Sequence, residues 1–238
     1  MKVGITGQAG FLGTHLAAAV EAAADLELVP FEDAFFADDA KLRAFVRSCD
    51  AIMHFAAASR MPSEDELYTL NMGLVKKLIA AMDAEGVAPH VLFSSSTHET
   101  RDTAYGRAKR DGRTMLAQWA EAHGVPFTGF VFPNVYGPGA RVHYASFIAN
   151  FAWELQHGEE PKILVDAPIR LIYVGNLMKI ILGKIRKPDG IERFEVPWDF
   201  EKKVSEILAL FRRFAANGLP ADASEDVRNL YGTFVAYR

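Results

Sequence analysis

Short apolar runs and longer stretches of helical period take turns along the first half of the chain. Residues 2–6 form an apolar run that reads as a strand entering a glycine-rich turn, and residues 14–24 follow as an Ala-rich helix. Residues 27–31 read as a second strand ending on Glu32 and Asp33, 39–48 as a short helix, and 51–55 as a third strand. A long helix is predicted over 64–85, where Leu67, Leu70, Leu74, Leu78 and Met82 recur at helical spacing. Residues 90–95 give the next strand, 104–123 a helix and 127–132 another strand. Strand and helix therefore alternate, which predicts an α/β fold with a Rossmann-like, doubly wound parallel sheet.

After Pro133 the pattern loosens. Residues 147–157, 176–185 and 204–216 read as helices, the last amphipathic, and 162–165, 171–174 and 194–196 as short strands. The tail, 226–238, carries apolar residues with no clear period. The reading is a single domain over 1–238, with a mainly dinucleotide-binding core in 1–135. Residues 136–238 read as a small C-terminal substrate-binding lobe at the edge of the sheet where such folds take ligands.

Composition narrows the partners. Half of the 238 residues are apolar, enough for one sizeable core. The net charge of −4 comes with no long basic run, so nucleic acid is not expected. No apolar run is long enough to span a bilayer, and the first strand begins at once, so no signal peptide is expected. The one cysteine, Cys49, has no partner for an internal disulfide, which fits a reducing cytoplasm. It precedes an apolar strand and reads as a buried, inert thiol. The seven histidines show no ligand spacing, so no metal is expected.

The glycines at 7, 10 and 13 stand between the first strand and the first helix. Gly7 permits a tight turn, Gly10 lets backbone N–H groups approach a pyrophosphate, and Gly13 lets helix and strand pack closely. The helix N-terminus then offers donors and a positive dipole to the phosphates. A triplet with this G-x-x-G-x-x-G spacing also fits a structural turn, but its position favours a dinucleotide. At the end of the second strand, Glu32 is placed to accept hydrogen bonds from the adenosine ribose and to repel a 2′-phosphate. No basic residue follows until Lys41. NAD is therefore the favoured cofactor and NADP the alternative; a merely solvated Glu32 would select neither.

Ser94, Ser95, Ser96 and Thr97 put hydroxyls at a strand end, and Tyr105 and Lys109 lie four apart on one helical face. An ammonium there favours a phenolate. A phenol acting near pH 7 must come down from about 10, which is worth about 4 kcal/mol. Such a Tyr exchanges a proton with a carbonyl or alcohol while hydride moves to or from a nicotinamide, and a serine hydroxyl holds the same oxygen. The bland alternative is a packing aromatic beside a solvated lysine.

With these residues in view, the chain resembles the extended short-chain dehydrogenase/reductases, the NAD-dependent epimerase/dehydratase family. The glycine loop is similar to the family's cofactor loop, 50–57 to the strand passing under adenosine and ribose, and 133–138 to the motif lining the substrate side. The resemblance implies a catalytic Ser96, Tyr105 and Lys109. It implies cofactor contacts from Gly7, Gly10, Phe11, Leu12, Gly13, Glu32, Phe55, Ala56, Ala57, Asn71, Ser94, Tyr105, Lys109 and Pro133. Substrate contacts are implied for Ser96, Thr97, Asn134 and Arg170.

Within the family the likeness runs to the capsular-polysaccharide reductases that act on a UDP-linked 6-deoxy-4-keto amino sugar. It is carried by the nine-residue step from Ser96 to Tyr105, the serine run, and Asn229-Leu230-Tyr231. Two positions depart: Val131 stands where the family has an arginine, and Arg170 sits one place off the family's Arg-Asp. The zinc-binding cupin domain of that branch has no counterpart in this sequence, so none of its chemistry is expected.

The resemblance implies reduction of a 4-keto-6-deoxyhexose on a nucleotide carrier, with a nucleotide-sugar 4-epimerase as the alternative. A non-catalytic cofactor sensor is a third reading, disfavoured because Tyr105 and Lys109 are both present. Dehydratase chemistry is disfavoured because Thr97-His98 replaces that class's Asp-Glu pair, and His98 and Glu99 read as surface loop. Homodimerisation through the 64–85 and 104–123 helices is common in the family.

Overall fold

The computed structural model describes residues 1–238. Its strands are β1 (Lys2–Thr6), β2 (Glu27–Val29), β3 (Ala51–His54), β4 (His90–Ser96), β5 (Phe127–Phe132), β6 (Asn134–Tyr136), β7 (Pro168–Tyr173), β8 (Phe194–Glu195) and β9 (Phe200–Lys203). The helices are α1 (Phe11–Glu21), α2 (Asp39–Arg47), α3 (Glu64–Glu85), α4 (Ala104–His123), α5 (Phe147–Gln156), α6 (Val174–Arg186), α7 (Val204–Asn217) and α8 (Glu225–Val235).

They form two units. The first comprises Met1–Phe132 and Met178–Val196, the second Pro133–Leu177 and Pro197–Arg238. The chain thus returns to its first unit after building about half of the second.

In the first unit a six-stranded sheet runs β2-β1-β3-β4-β5-β8, every pair parallel. Helices cover both faces of such a sheet, so its strands bury both sides and read as continuous apolar runs. β3 and β5 are buried at every residue, as are Val3 to Thr6 of β1. The chain passes to one side of β1 for β2 and to the other for β3. That switch point, at the carboxyl ends of β1 and β3, is where open α/β sheets bind ligands.

Caps explain why two helices match their sequence-predicted limits. Ser63 accepts from the Glu66 N–H and Thr103 from the Gly106 N–H, while Gly86 and Gly124 close the far ends at φ 63° and 65°. The buried stripe of α3 is Leu67, Asn71, Val75, Leu78 and Met82. Leu70, expected on it, lies off that face at 41% exposure. α1 begins at Phe11, three residues earlier than expected, because Gly10 is its N-cap and Gly13 lies inside the helix.

In the second unit β7 pairs with β6 in parallel and with β9 antiparallel. Tyr136, Phe151, Leu171, Ile207, Phe211, Leu230 and Phe234 form its core. The strand expected over 162–165 is absent, with Leu164 and Val165 93% and 72% exposed, while the strand expected over 171–174 is β7, which begins three residues earlier at Pro168. The tail, which showed no clear period, is helix α8, capped by Ser224 and burying Leu230 and Phe234 one turn apart.

Cys49 is half-buried and donates to the Phe45 carbonyl at 3.2 Å; burial pushes its thiol up to about 12, which leaves it inert. No helix is long and apolar enough to cross a membrane.

Candidate active site

The turn after β1 is a cradle with no room for side chains. Gly7 has φ 70°, and a Cβ there would meet the Ala56 backbone nitrogen at 2.9 Å. A Cβ on Gly13 would lie 2.2 Å from the Gly7 carbonyl oxygen, and one on Gly10 3.2 Å from the same atom. The Gly10 N–H donates to Gly7 O at 3.0 Å, closing the turn. No side chain caps α1 and no acidic residue stands in its first turn, which carries Phe11 and Leu12. The loop therefore presents bare backbone and an uncompensated helix dipole, and it fits a pyrophosphate.

Gln8, inside this loop, ties it to the neighbouring strand end: its Oε1 accepts from the Phe31 N–H at 3.0 Å. Glu32 is the next residue, exposed and extended, with its carbonyl accepting from the Phe35 N–H at 2.9 Å. The carboxylate position and the phosphate turn are thus held together by one side chain.

Beyond β3 the chain is fastened to β1 and α3. Phe55 N–H donates to Thr6 O at 3.1 Å and Ala56 N–H to the Thr6 hydroxyl oxygen at 3.4 Å. Asn71 clamps Ala58 at both ends, accepting from its N–H at 2.8 Å and donating to its carbonyl at 2.9 Å. Asn71 thus shapes the 55–58 segment and Ala57 stays exposed.

His54 anchors the middle. Its Nδ1 lies 2.7 Å from Thr6 Oγ1, its ring stacks on Phe93, and its carbonyl accepts from the Ser94 hydroxyl at 3.1 Å. Burial, then the nearby charge of Lys109, pushes the imidazole down to about 3, so it is neutral.

β4 delivers the serines and α4 the Tyr/Lys pair. Lys109 is buried, and its Nζ donates to the Ser94 carbonyl at 2.7 Å and the Ser94 hydroxyl at 3.2 Å. It lies 5.2 Å from the Phe93 ring centroid and 5.7 Å from that of Tyr105. Burial pushes its ammonium down to about 8. Ser94 therefore spends its hydroxyl proton on His54 and accepts from Lys109, serving as a post between them.

Ser96 is half-buried, and its oxygen accepts from the His98 N–H at 3.2 Å. Its hydroxyl proton is left for another acceptor. Thr97 is exposed, and its carbonyl accepts from the Thr100 hydroxyl. Tyr105, in the first turn of α4, is half-buried with the His98 ring edge-on at 6.2 Å. The structure thus gathers Ser94, Ser96, Tyr105 and Lys109 around one strand end and one helix start.

His98 and Glu99 are not a surface loop. Glu99 is 4% exposed. It accepts from the Ser95 hydroxyl, from Arg113 Nε at 3.2 Å and from Arg193 Nε at 2.6 Å. Burial pushes its carboxyl up, but the hydrogen bonds from Ser95 and Arg193 and the charge of Arg113 outweigh it and hold it low. The reason the sequence misled is distance: Arg113 and Arg193 lie far along the chain.

In the second unit Pro133 is buried, Asn134 is exposed on β6 opposite Leu171, and Arg170 is exposed on β7. The Arg170 guanidinium pairs with Glu201 at 2.9 Å and lies 4.1 Å from the Trp198 ring centroid. Val131, in the first unit, is buried in β5.

Thr6, Gln8, His54 and Glu99 escaped the sequence reading as parts of the site. Only His54 carried a usable signal, a polar residue ending an otherwise apolar strand.

A model of the NAD dependent epimerase/dehydratase family matches residues 3–196. The whole chain aligns at 29% identity with UDP-2-acetamido-2,6-beta-L-arabino-hexul-4-ose reductase from Pseudomonas aeruginosa, and spans 65% of that protein's length. Among solved structures, the capsular polysaccharide assembling protein CapF from Staphylococcus aureus superposes with TM-score 0.84 at 24% identity, over all of this chain and 65% of that one. UDP-glucose 4-epimerase from Thermotoga maritima gives TM-score 0.84 at 18% identity, over all of this chain and 98% of that one.

Proposed function

The chain belongs to the NAD dependent epimerase/dehydratase family, and on that premise we propose that it reduces a 4-keto-6-deoxyhexose carried on a nucleotide. The observation that carries this reading is the buried Lys109, posted on Ser94 one helical turn from Tyr105 and two residues from Ser96. The name of the hexul-4-ose reductase aligned over the whole chain favours reduction over epimerisation. Glu99 argues against dehydration, because a carboxylate paired with two arginines is not available as an acid or base.

Gly7, Gly10 and Gly13 with the start of α1 would hold a nicotinamide dinucleotide, which would supply the hydride chemistry at the sugar carbon. This chain's residues handle the oxygen. The Ser96 hydroxyl donates to the substrate carbonyl and polarises it. As the carbon gains hydride, Tyr105 gives its phenolic proton to the oxygen, so ketone, hydride and proton become alcohol. The Lys109 ammonium stabilises the phenolate left behind. Glu32 makes NAD(H) the favoured form, with NADP the alternative. In the second unit, Asn134 stands at a position where the resemblance puts a substrate contact, and Arg170 lies one place off another. An enzyme of this kind with a single cysteine suits the cytoplasm.

Cofactor balance tests the reading. Given UDP-, dTDP- or GDP-linked 4-keto-6-deoxysugars and excess NADH, the protein should oxidise one NADH per alcohol formed. Isomerised product with no net loss of NADH absorbance would establish a 4-epimerase instead.

A further inference from the structure

The connection from Ser96 to Tyr105 is built on a buried carboxylate, and we infer that Glu99 is a positioning residue that holds Ser96 and Tyr105 in register for proton transfer. This rests on the reading of Ser96 and Tyr105 as the groups acting on the substrate oxygen.

Glu99 sits in a single 3-10 turn, Thr97–Thr100, that begins where β4 ends. Three chain segments close on its two oxygens. Oε2 takes the Ser95 hydroxyl and Arg113 Nε from the third turn of α4, and Oε1 takes Arg193 Nε from the strand edge at β8. Arg113 is itself held by Glu192 at 2.8 Å, and Arg193 also pairs with Glu195. Gly129 leaves the space for this junction, since a Cβ there would lie 2.2 Å from Glu192 O and 2.7 Å from Arg113 Cδ.

The opposite side of the same turn meets the reacting groups. His98 N–H bonds Ser96 Oγ, and the His98 ring stands edge-on to Tyr105. The turn's backbone presses on α4 beside Tyr105: a Cβ on Gly106 would lie 2.4 Å from His98 O and 2.5 Å from Arg101 O. The turn is therefore wedged between the carboxylate lock and the start of the Tyr105 helix. A buried ion cluster is a poor source of net stability compared with apolar packing. What it supplies is direction, because carboxylate and guanidinium bonds fix both oxygens at once.

The test is a double-mutant cycle on the full chain, with a UDP-linked 4-keto-6-deoxyhexose and NADH as probes. Glu99→Gln should lower kcat by about 10- to 100-fold, the scale of a small misplacement of reacting groups. NADH affinity by fluorescence titration should not change. Amide exchange should rise across 97–102 and stay constant in the glycine loop. In a Ser96→Ala background the same change should cost clearly less, because one of the two groups it positions is gone. Equal losses in both backgrounds, full turnover in Glu99→Gln, or unchanged exchange across the turn would overturn the inference. Should Glu99→Gln not fold, Arg193→Gln removes the partly exposed partner of Oε1 and must show the same dependence on Ser96. Normal turnover of Ser96→Ala and Tyr105→Phe, with Glu99 intact, would mark the failure of the site reading itself, and would take this inference with it.

Discussion

Lys109 Nζ donates to both the carbonyl and the hydroxyl of Ser94, at 2.7 and 3.2 Å. A residue of helix α4 is thereby fixed to the end of strand β4, next to the serine assigned to the substrate oxygen. The lysine is held at a cost. Its folded value, about 8, lies below the 10.5 of a free lysine, because burial disfavours the charged form.

Lys109→Met should therefore separate function from stability. The unfolded chain holds the proton between pH 8 and 10.5 while the folded chain has lost it, so stability rises with pH across that window. At pH 7 the burden of the buried charge is on the order of 3 kcal/mol before its hydrogen bonds offset it. The variant should unfold at no lower temperature than wild type at pH 7, while turnover falls at least about 100-fold. A drop of several degrees would mean that the Ser94 contacts outweigh desolvation.

Tyr105→Phe removes the proton donor and leaves the glycine cradle alone. Turnover should fall by about two to four orders of magnitude, the range for loss of a general acid. Affinity for NADH should change little. Near-normal turnover would sink the catalytic assignment.

Glu32 is exposed at the end of a segment tied by Gln8 to the phosphate turn. Wild type should prefer NADH to NADPH in kcat/KM, and Glu32→Ala should narrow the ratio by admitting the 2′-phosphate. An unchanged ratio, or NADPH preference in wild type, would show that Glu32 does not choose the cofactor.

Acid should destabilise the first unit through buried histidines. Burial pushes His54 down to about 3 and His90 to about 4, against 6.5 for a free imidazole. Between pH 6.5 and 4 the unfolded chain binds protons that the folded chain refuses. Stability is therefore full above pH 6.5 and falls as pH drops, by up to on the order of 1.4 kcal/mol per unit for each histidine. His90, bonded through Nε2 to Thr128 at 3.1 Å, lies away from the catalytic hydroxyls and is the cleaner position to change. Thermal midpoints of wild type and His90→Gln from pH 7.5 to 5 should diverge, with the variant less acid-sensitive. Parallel curves would discard the assignment.

Local chemistry was enough to read the parallel sheet from the sequence, because strands buried on both faces are continuously apolar and helices α3 and α4 carry their own caps. The glycine cradle and the Tyr105/Lys109 face were legible for the same reason: their geometry depends on spacings of three and four residues. The second unit was less legible. Its strand β9 reads Phe200-Glu-Lys-Lys203, a charged sequence that becomes a strand only by pairing with β7. Helix α8 owes its burial to a core assembled from α5, α7 and α8, not to a period of its own.

Tertiary structure alone decided what Glu99 and His54 are. A glutamate three residues past a strand reads as solvated until Arg113 and Arg193, 14 and 94 positions away, converge on it. His54 reads as a strand end until Thr6, Phe93 and Lys109 surround it. The cost of burying a charge or an imidazole depends on which groups arrive in space, and residue spacing carries no record of that.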